Sequence, residues 1–134
     1  MSKIDTKNRI LDAAEVLFAE RGFADTSLRL ITSEADVNLA SVNYHFGSKK
    51  ELIQAVLDRY LSLFMPALDG RLQTLMAQDQ LTLLHMFESF VEPLMKLSAV
   101  RANGPALFMQ LLGRGYIDSQ GHLRRFITTH YGAT

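Results

Sequence analysis

The sequence contains no cysteine. That excludes disulfides, iron–sulfur clusters, thiolate zinc sites and cysteine nucleophiles, and it suits a reducing compartment. A long apolar run is also missing: the longest stretches free of Asp, Glu, Lys and Arg are 12 residues, Val37 to Ser48 and Ala102 to Gly113, against the roughly 20 apolar residues that span a bilayer. Met1 to Arg9 carries charges where a signal peptide needs its apolar core, so a soluble, cytoplasmic chain with no membrane partner is expected. Nor is there an excess of one charge. Fourteen basic and fourteen acidic residues cancel, and composition alone announces no nucleic-acid partner.

β-Branched apolar residues are scarce, 6 Val and 6 Ile against 21 Leu and 13 Ala, which favours an all-α fold. With 134 residues, 48% of them hydrophobic, the chain can form one compact domain, or a module joined to part of a second. Ile10, Leu11, Ala14, Leu17 and Phe18 recur at helical spacing before Gly22, predicting a helix from about Asp5 to Arg21. Thr26 or Ser27 can cap a short second helix ending near Ala35, with Asp36 in a tight turn. A third short helix fits Leu39 to Tyr44. Ser48 with Glu51 forms a capping box that opens a fourth helix, apolar on one face from Leu52 to Phe64 and reaching towards Pro66. Further helices are expected over Leu68 to Ala77, over Gln80 to Val100 with a kink or break at Pro93, over Ala106 to Leu112, and after Gly121.

Two short helices joined by the turn Asp36 to Leu39, with a longer helix on either side, describe a helix-turn-helix. Such a motif lays its second short helix in the DNA major groove. Leu39, Ala40, Ser41, Asn43 and Tyr44 give that helix a small and polar surface, while Val42 and Phe46 point inward. The strings "RILDAAEVLFAERGFADTSLRLI" from Arg9 to Ile31 and "NYHFGSKKELI" from Asn43 to Ile53 resemble the TetR-like (tetracycline-repressor-like) bacterial transcription regulators. The resemblance covers roughly the first 60 residues. It implies a three-helix DNA-binding head, residues 1–47, followed by a helical effector and dimerisation domain in residues 48–134. It also implies double-stranded operator DNA as partner.

Thr26 and Ser27 stand at a helix N-terminus, where hydroxyls, amides and the macrodipole favour a phosphate; simple capping is the alternative. Arg29 is the one basic side chain of the second helix, and the family places an operator-contacting residue there. Leu39, Ala40 and Asn43 are candidates for reading base edges, Asn43 through adenine and the other two through thymine methyls. Ser41, Tyr44, His45 and Lys49 suit phosphate contacts that fix register. The chain departs from the family at Asn43, where Tyr is common, and at Asp36, where Gly is common. Seven basic and seven acidic residues balance between Met1 and Lys50, so binding would rest on a few contacts. A homodimer is expected because paired heads about 34–36 Å apart match two half-sites one helical turn apart.

Five of the six methionines follow the head. With the aromatics among them, they either fill a core or line an adaptable apolar pocket. The family favours an effector pocket, with Phe64, Met86, Phe87, Phe90, Met95, Phe108 and Met109 as its candidates. "LFMQLLG" from Leu107, "SQGHLRRF" from Ser119 and "LRLITSEADVNLASVNYHFGSKKELIQAV" from Leu28 are similar to a narrower group, the PsrA-type regulators of fatty-acid metabolism. That implies a repressor released by a long-chain fatty acid or acyl thioester, its acidic head met by Arg101, Arg114, Arg124 or Arg125. Family members run well beyond 134 residues, and the second late helix of their dimer interface is not recognisable before Thr134, so a fragment or truncated variant is expected.

No catalytic grouping emerges. His85 with Ser89 and Glu88 with Glu92 read as polar stripes of an amphipathic helix, and no His-Glu-x-x-His, P-loop or nucleotide-binding glycine string occurs. No enzyme activity, cofactor or metal is expected. The competing reading is a helical ligand-binding or interaction module without specific DNA binding.

Overall fold

The computed structural model describes residues 3–79, 82–118 and 120–131. Among these, every regular element is helical: α1 (Lys3–Arg21), α2 (Leu28–Ala35), α3 (Leu39–His45), α4 (Lys49–Ala77), α5 (Leu83–Met95), a 3₁₀ turn (Lys96–Ala99), α6 (Gly104–Tyr116) and α7 (His122–Tyr131). The helix ends in the first half follow local chemistry. Gly22 takes φ 88° and its amide donates to the Phe18 carbonyl at 2.8 Å, closing α1 in the left-handed geometry open to glycine. Three N-caps then recur, with Ser27, Asn38 and Ser48 accepting from the amides of Leu30, Ser41 and Glu51 at 3.1, 3.1 and 3.2 Å. Asp36 closes α2 at φ 56° and ψ 49°, so the tight turn survives without glycine.

Pro66 does not end α4, contrary to the expected pair of helices, one opened by the Ser48 cap and reaching towards Pro66 and one over Leu68–Ala77. One helix of 29 residues runs through it. Pro66 and Ser62, whose carbonyl loses its helical partner, both lie on the solvent side, where water can take up the freed group. Pro93 is likewise accommodated, inside the last turn of α5; the α-helix gives way two residues later to the 3₁₀ turn. The expected start of that helix at Gln80 lies outside the described residues, and Thr82 caps α5 by accepting from the His85 amide at 3.2 Å. Helix α6 is longer at both ends than expected; its earlier start is open to Pro105 because an amide hydrogen in the first turn has no partner to lose. Within α6, an added Cβ at Gly115 would collide with Leu123, so this glycine lets α7 pack closely.

One apolar core runs through both halves. Ile10, Ala14, Phe18, Ile31 and Val42 join the first three helices, and Leu52, Val56, Tyr60, Phe64, Leu97, Phe108 and Leu111 continue it into the second half. Helix α1 is therefore packed on one side by α2 and α3 and on another by α4 and α6. No helix among the described residues is long and apolar enough to cross a membrane.

Candidate nucleic-acid interface

Helix α3 divides sharply by face. Val42 is fully buried and Phe46 nearly so, which anchors the helix on the core. Leu39 (50% exposed), Ala40, Asn43 and Tyr44 (67% exposed) form the outer surface. An apolar residue and an amide exposed side by side on a two-turn helix are poor packing choices but suitable for base edges, which offer methyl groups and paired donors and acceptors. The Tyr44 ring meets the half-buried His45 edge to face at 5.0 Å, and His45 leans on Phe46 at 6.2 Å. The aromatic pair therefore holds both polar tips at the C-terminal end of α3. Nearby, the Lys7 ammonium lies 6.0 Å from the Phe46 ring centre.

Helix α2 presents Arg29 and Ser27 to solvent. Thr26 is a correction. It is fully buried, and its hydroxyl donates to the carbonyls of Gly22 at 2.8 Å and Leu17 at 3.3 Å, so it ties the loop to α1 and is not free for a phosphate. Ser41 already donates its hydroxyl to Asn38 Oδ1 at 3.4 Å, so a phosphate contact there would replace that bond. Lys49 is half-buried, and burial pulls its pKa down while the carboxylates of Asp25 and Asp118 pull the other way. It thus faces acids as well as the head surface. Asn38, which holds the first turn of α3, escapes the sequence reading; an Asn one residue before an apolar helix start is its signal.

The expected effector residues do not come together. Phe64 and Phe108 are buried with ring centres 4.9 Å apart, Phe90 meets Phe64 at 5.0 Å and Tyr60 meets Phe108 at 5.9 Å, so these rings fill the core. Met86 and Phe87 lie outside, with Leu83 and Phe90, along a shallow groove of about 310 Å³. Met95 and Met109 are exposed elsewhere. Two of the four arginines considered for an acidic ligand head are committed as well. Arg101 binds Glu15 at 2.5 Å, and Arg114 donates to the carbonyls of Ala19 (3.1 Å) and Glu20. Arg124 and Arg125 remain on the exposed side of α7, while Ser119 and the last three residues lie outside the described ones.

Glu15 also escapes the sequence reading as a functional residue. It is fully buried, yet its carboxylate accepts from Tyr60 at 2.7 Å, Arg59 at 3.0 Å and Arg101 at 2.5 Å. Burial first, then the hydrogen bond and charge of Glu15, push the Tyr60 phenol above its ordinary value. Burial opposes the charge on Arg59, but its bonds to Asp12 and Glu15 prevail and its pKa is raised.

Comparison with known proteins places this geometry. Residues 10–56 match the family model "Bacterial regulatory proteins, tetR family", and residues 88–134 match "Tetracyclin repressor-like, C-terminal domain". The chain is 33% identical over 82 residues to the probable HTH-type transcriptional regulator YttP of Bacillus subtilis, covering 59% of this chain and 40% of that protein. It is 27% identical over 119 residues to the HTH-type transcriptional regulator UidR of Escherichia coli, covering 86% and 54%. Against the HTH-type transcriptional repressor Rv3405c of Mycobacterium tuberculosis it is 55% identical over 49 residues, 37% of this chain and 26% of that one. The crystal structure of an HlyIIR mutant superposes with a TM-score of 0.69 at 26% identity, over 95% of this chain and 66% of that chain. This chain thus spans about half or less of the length of the curated relatives it matches. Those relatives are named as regulators and not as enzymes, in agreement with the sequence reading. Both family models, the helix-turn-helix geometry and the superposition agree: the chain belongs to the TetR family.

Proposed function

We propose that this protein is a sequence-specific, DNA-binding transcriptional regulator. Residues 1–47 act as the head, and residues 48–134 belong to the sensing and dimerising part. The observation that carries this reading is the split face of α3, with Val42 sealed in the core and Leu39, Ala40, Asn43 and Tyr44 turned outward. Base contacts come from Leu39, Ala40 and Asn43, and phosphate contacts from Ser27, Arg29, Tyr44, His45 and Lys49. Two copies, with α3 helices one DNA turn apart, read paired half-sites in the cytoplasm.

The finer reading is a repressor of fatty-acid metabolism genes, released by a long-chain fatty acid or its acyl thioester. It is supported by the likeness to PsrA-type regulators and by the apolar groove of Leu83, Met86, Phe87 and Phe90, with Arg124 and Arg125 as the exposed cations for an acidic head.

Enrichment of a randomised duplex library on the protein, followed by fluorescence-anisotropy titration of the selected duplex, tests the first part. A palindromic consensus is expected. Enrichment of no consensus, or binding equal for selected and scrambled duplexes, would leave the chain a helical interaction module without specific DNA binding. Oleate and its coenzyme A ester are the probes for the second part, by thermal shift and by release of the duplex, and silence in both assays ends the fatty-acid reading.

A further inference from the structure

Beside its apolar packing on α1, helix α6 is tied to the DNA-reading head by two arginines, one in the turn before it and one in its last turn, and both land on α1. At the near end, Arg101, in the turn before α6, places Nη1 2.5 Å from Glu15 Oε1 and 3.4 Å from the Asp12 carbonyl. At the far end, Arg114 in the last turn of α6 donates Nε to the Ala19 carbonyl at 3.1 Å and Nη2 to the Glu20 carbonyl. Those carbonyls close α1, where unpaired acceptors and the negative end of the helix dipole favour a cation. Apolar packing already holds α1 against α4 and α6; the two polar contacts, with about 15 Å of α6 between Gly104 and Arg114, add a directional restraint on its angle.

The near-end contact is built to be stiff. Glu15 is fully buried and is shared with Arg59 and Tyr60 of α4, so it joins α1, α4 and the turn before α6 at one carboxylate. The turn itself has no slack. The Gly104 amide donates to the Arg101 carbonyl at 2.8 Å, and a Cβ at Gly104 would collide with the Leu97 carbonyl. A buried carboxylate also cannot exchange its partners for water, so losing Arg101 leaves a charge underpaired.

From this geometry we infer that Arg101 and Arg114 are positioning residues: they clamp α1 to α6 and thereby set the angle at which the head is presented to DNA. The consequence for DNA rests on the function proposed above, while the mechanical part does not. Neither side chain touches the α3 surface. Their loss should therefore spare recognition of one half-site and impair simultaneous recognition of two.

The absence of cysteine allows paired nitroxide labels at Ser33→Cys on α2 and Gln110→Cys on α6, both exposed positions. Pulsed EPR on the labelled full chain diluted into unlabelled chain, so that distances between protomers do not contribute, should give one narrow distance distribution, broadened or displaced in Arg101→Gln/Arg114→Gln and unchanged in the exposed charge control Glu88→Gln. In anisotropy titrations, the clamp variant should bind the selected two-half-site duplex roughly 2- to 30-fold more weakly, the range of couplings carried through packed elements. It should bind a single-half-site duplex as the parent does, which a defect in folding would not allow. If the double variant fails to fold by circular dichroism, Arg114→Gln alone, whose partners lie near the surface, is read in both assays. An unchanged distance distribution in the folded variant overturns the clamp, as does an equal loss on both duplexes. If the parent selects no duplex, the DNA reading fails while the distance measurement still decides the clamp.

Discussion

Thr26 and Ser27 stand side by side at the start of α2 and face opposite ways: the Thr26 hydroxyl donates inward to the Gly22 carbonyl at 2.8 Å, and Ser27 Oγ, at the surface, accepts from the Leu30 amide at 3.1 Å. Thr26→Val keeps the shape but removes the donor of the part-buried Gly22 carbonyl, with its longer contact to the Leu17 carbonyl, at a cost of about 1–3 kcal/mol in stability. Ser27→Ala removes an N-cap worth about 0.5–2 kcal/mol and an exposed hydroxyl. Urea unfolding should show both losses, whereas duplex affinity at equal folded fraction should fall only for Ser27→Ala. A drop for Thr26→Val would return that hydroxyl to the interface.

Asp36 provides a second test, because it holds φ 56° where most side chains are strained. Its pairing with Arg9 at 3.9 Å is exposed and worth little. Asp36→Gly removes a left-handed penalty of roughly 1–2 kcal/mol and gives back roughly 0.4–1 kcal/mol to a freer unfolded chain, a net gain of up to about 1.6 kcal/mol. Asp36→Val should lose about 1–3 kcal/mol. The urea midpoints of the two variants should therefore move in opposite directions.

Tyr60 gives the protein a weakness to alkali. Its phenol is raised by burial and by the Glu15 bond, so between the ordinary tyrosine value of about 10 and the folded value the unfolded chain has released a proton that the native chain keeps. The contribution is fully present below about pH 10 and is lost above it, at up to about 1.4 kcal/mol per pH unit. Tyr60→Phe should be less stable at neutral pH, having lost the hydrogen bond to Glu15, and the gap should narrow as pH rises past about 10. Lys49 and Tyr131 also titrate in this region but are common to both proteins and cancel in the difference.

Phe64 and Phe87 separate core from groove. Phe64 is buried against Phe90 and Phe108, so Phe64→Ala should cost about 3–5 kcal/mol. Phe87 is 65% exposed, and Phe87→Ala should cost less than about 1 kcal/mol. Thermal unfolding measures the contrast, and similar losses would mean that Phe87 is covered in solution.

For the DNA surface, Asn43→Ala should cost roughly 1–3 kcal/mol on the selected duplex and relax a single base position. Arg29→Ala should weaken all duplexes alike and lower the slope of log affinity on log salt by about 0.9 for each phosphate it no longer neutralises. Competition titrations over a series of duplexes and salt concentrations distinguish the two patterns.

The first half is legible in the sequence because its boundaries are set by neighbours. A capping hydroxyl at Ser27 and Ser48 acts within three residues, as does the Asn38 amide that the sequence reading passes over, and Gly22 and Asp36 close helices through their own φ angles. Pro66 defeats a local reading because its effect depends on which way it faces, and packing decides that. Helical spacing places Phe64 and Phe87 on apolar stripes of their own helices, but it carries no information on which stripes meet. The partners of Arg101 and Arg114 are 86 and 94 residues away, beyond any local pattern. A trace does exist on the other side: Glu15 interrupts the apolar stripe of Leu11, Ala14 and Phe18, and an acid in a buried face requires cations from elsewhere in the fold.

The uninterrupted course of α4 through Pro66 has a mechanical consequence. Its 29 residues make a rod about 43 Å long, with Lys49 at the head and, near the other end, Arg71 paired to Glu92 of α5. A tilt of only about 5° about one end carries the other through about 4 Å, close to the rise of one base pair. Had the proline broken the helix, a disturbance at α5 would have been absorbed at the joint; an unbroken α4 would instead carry a small tilt from its α5-contacting end to Lys49.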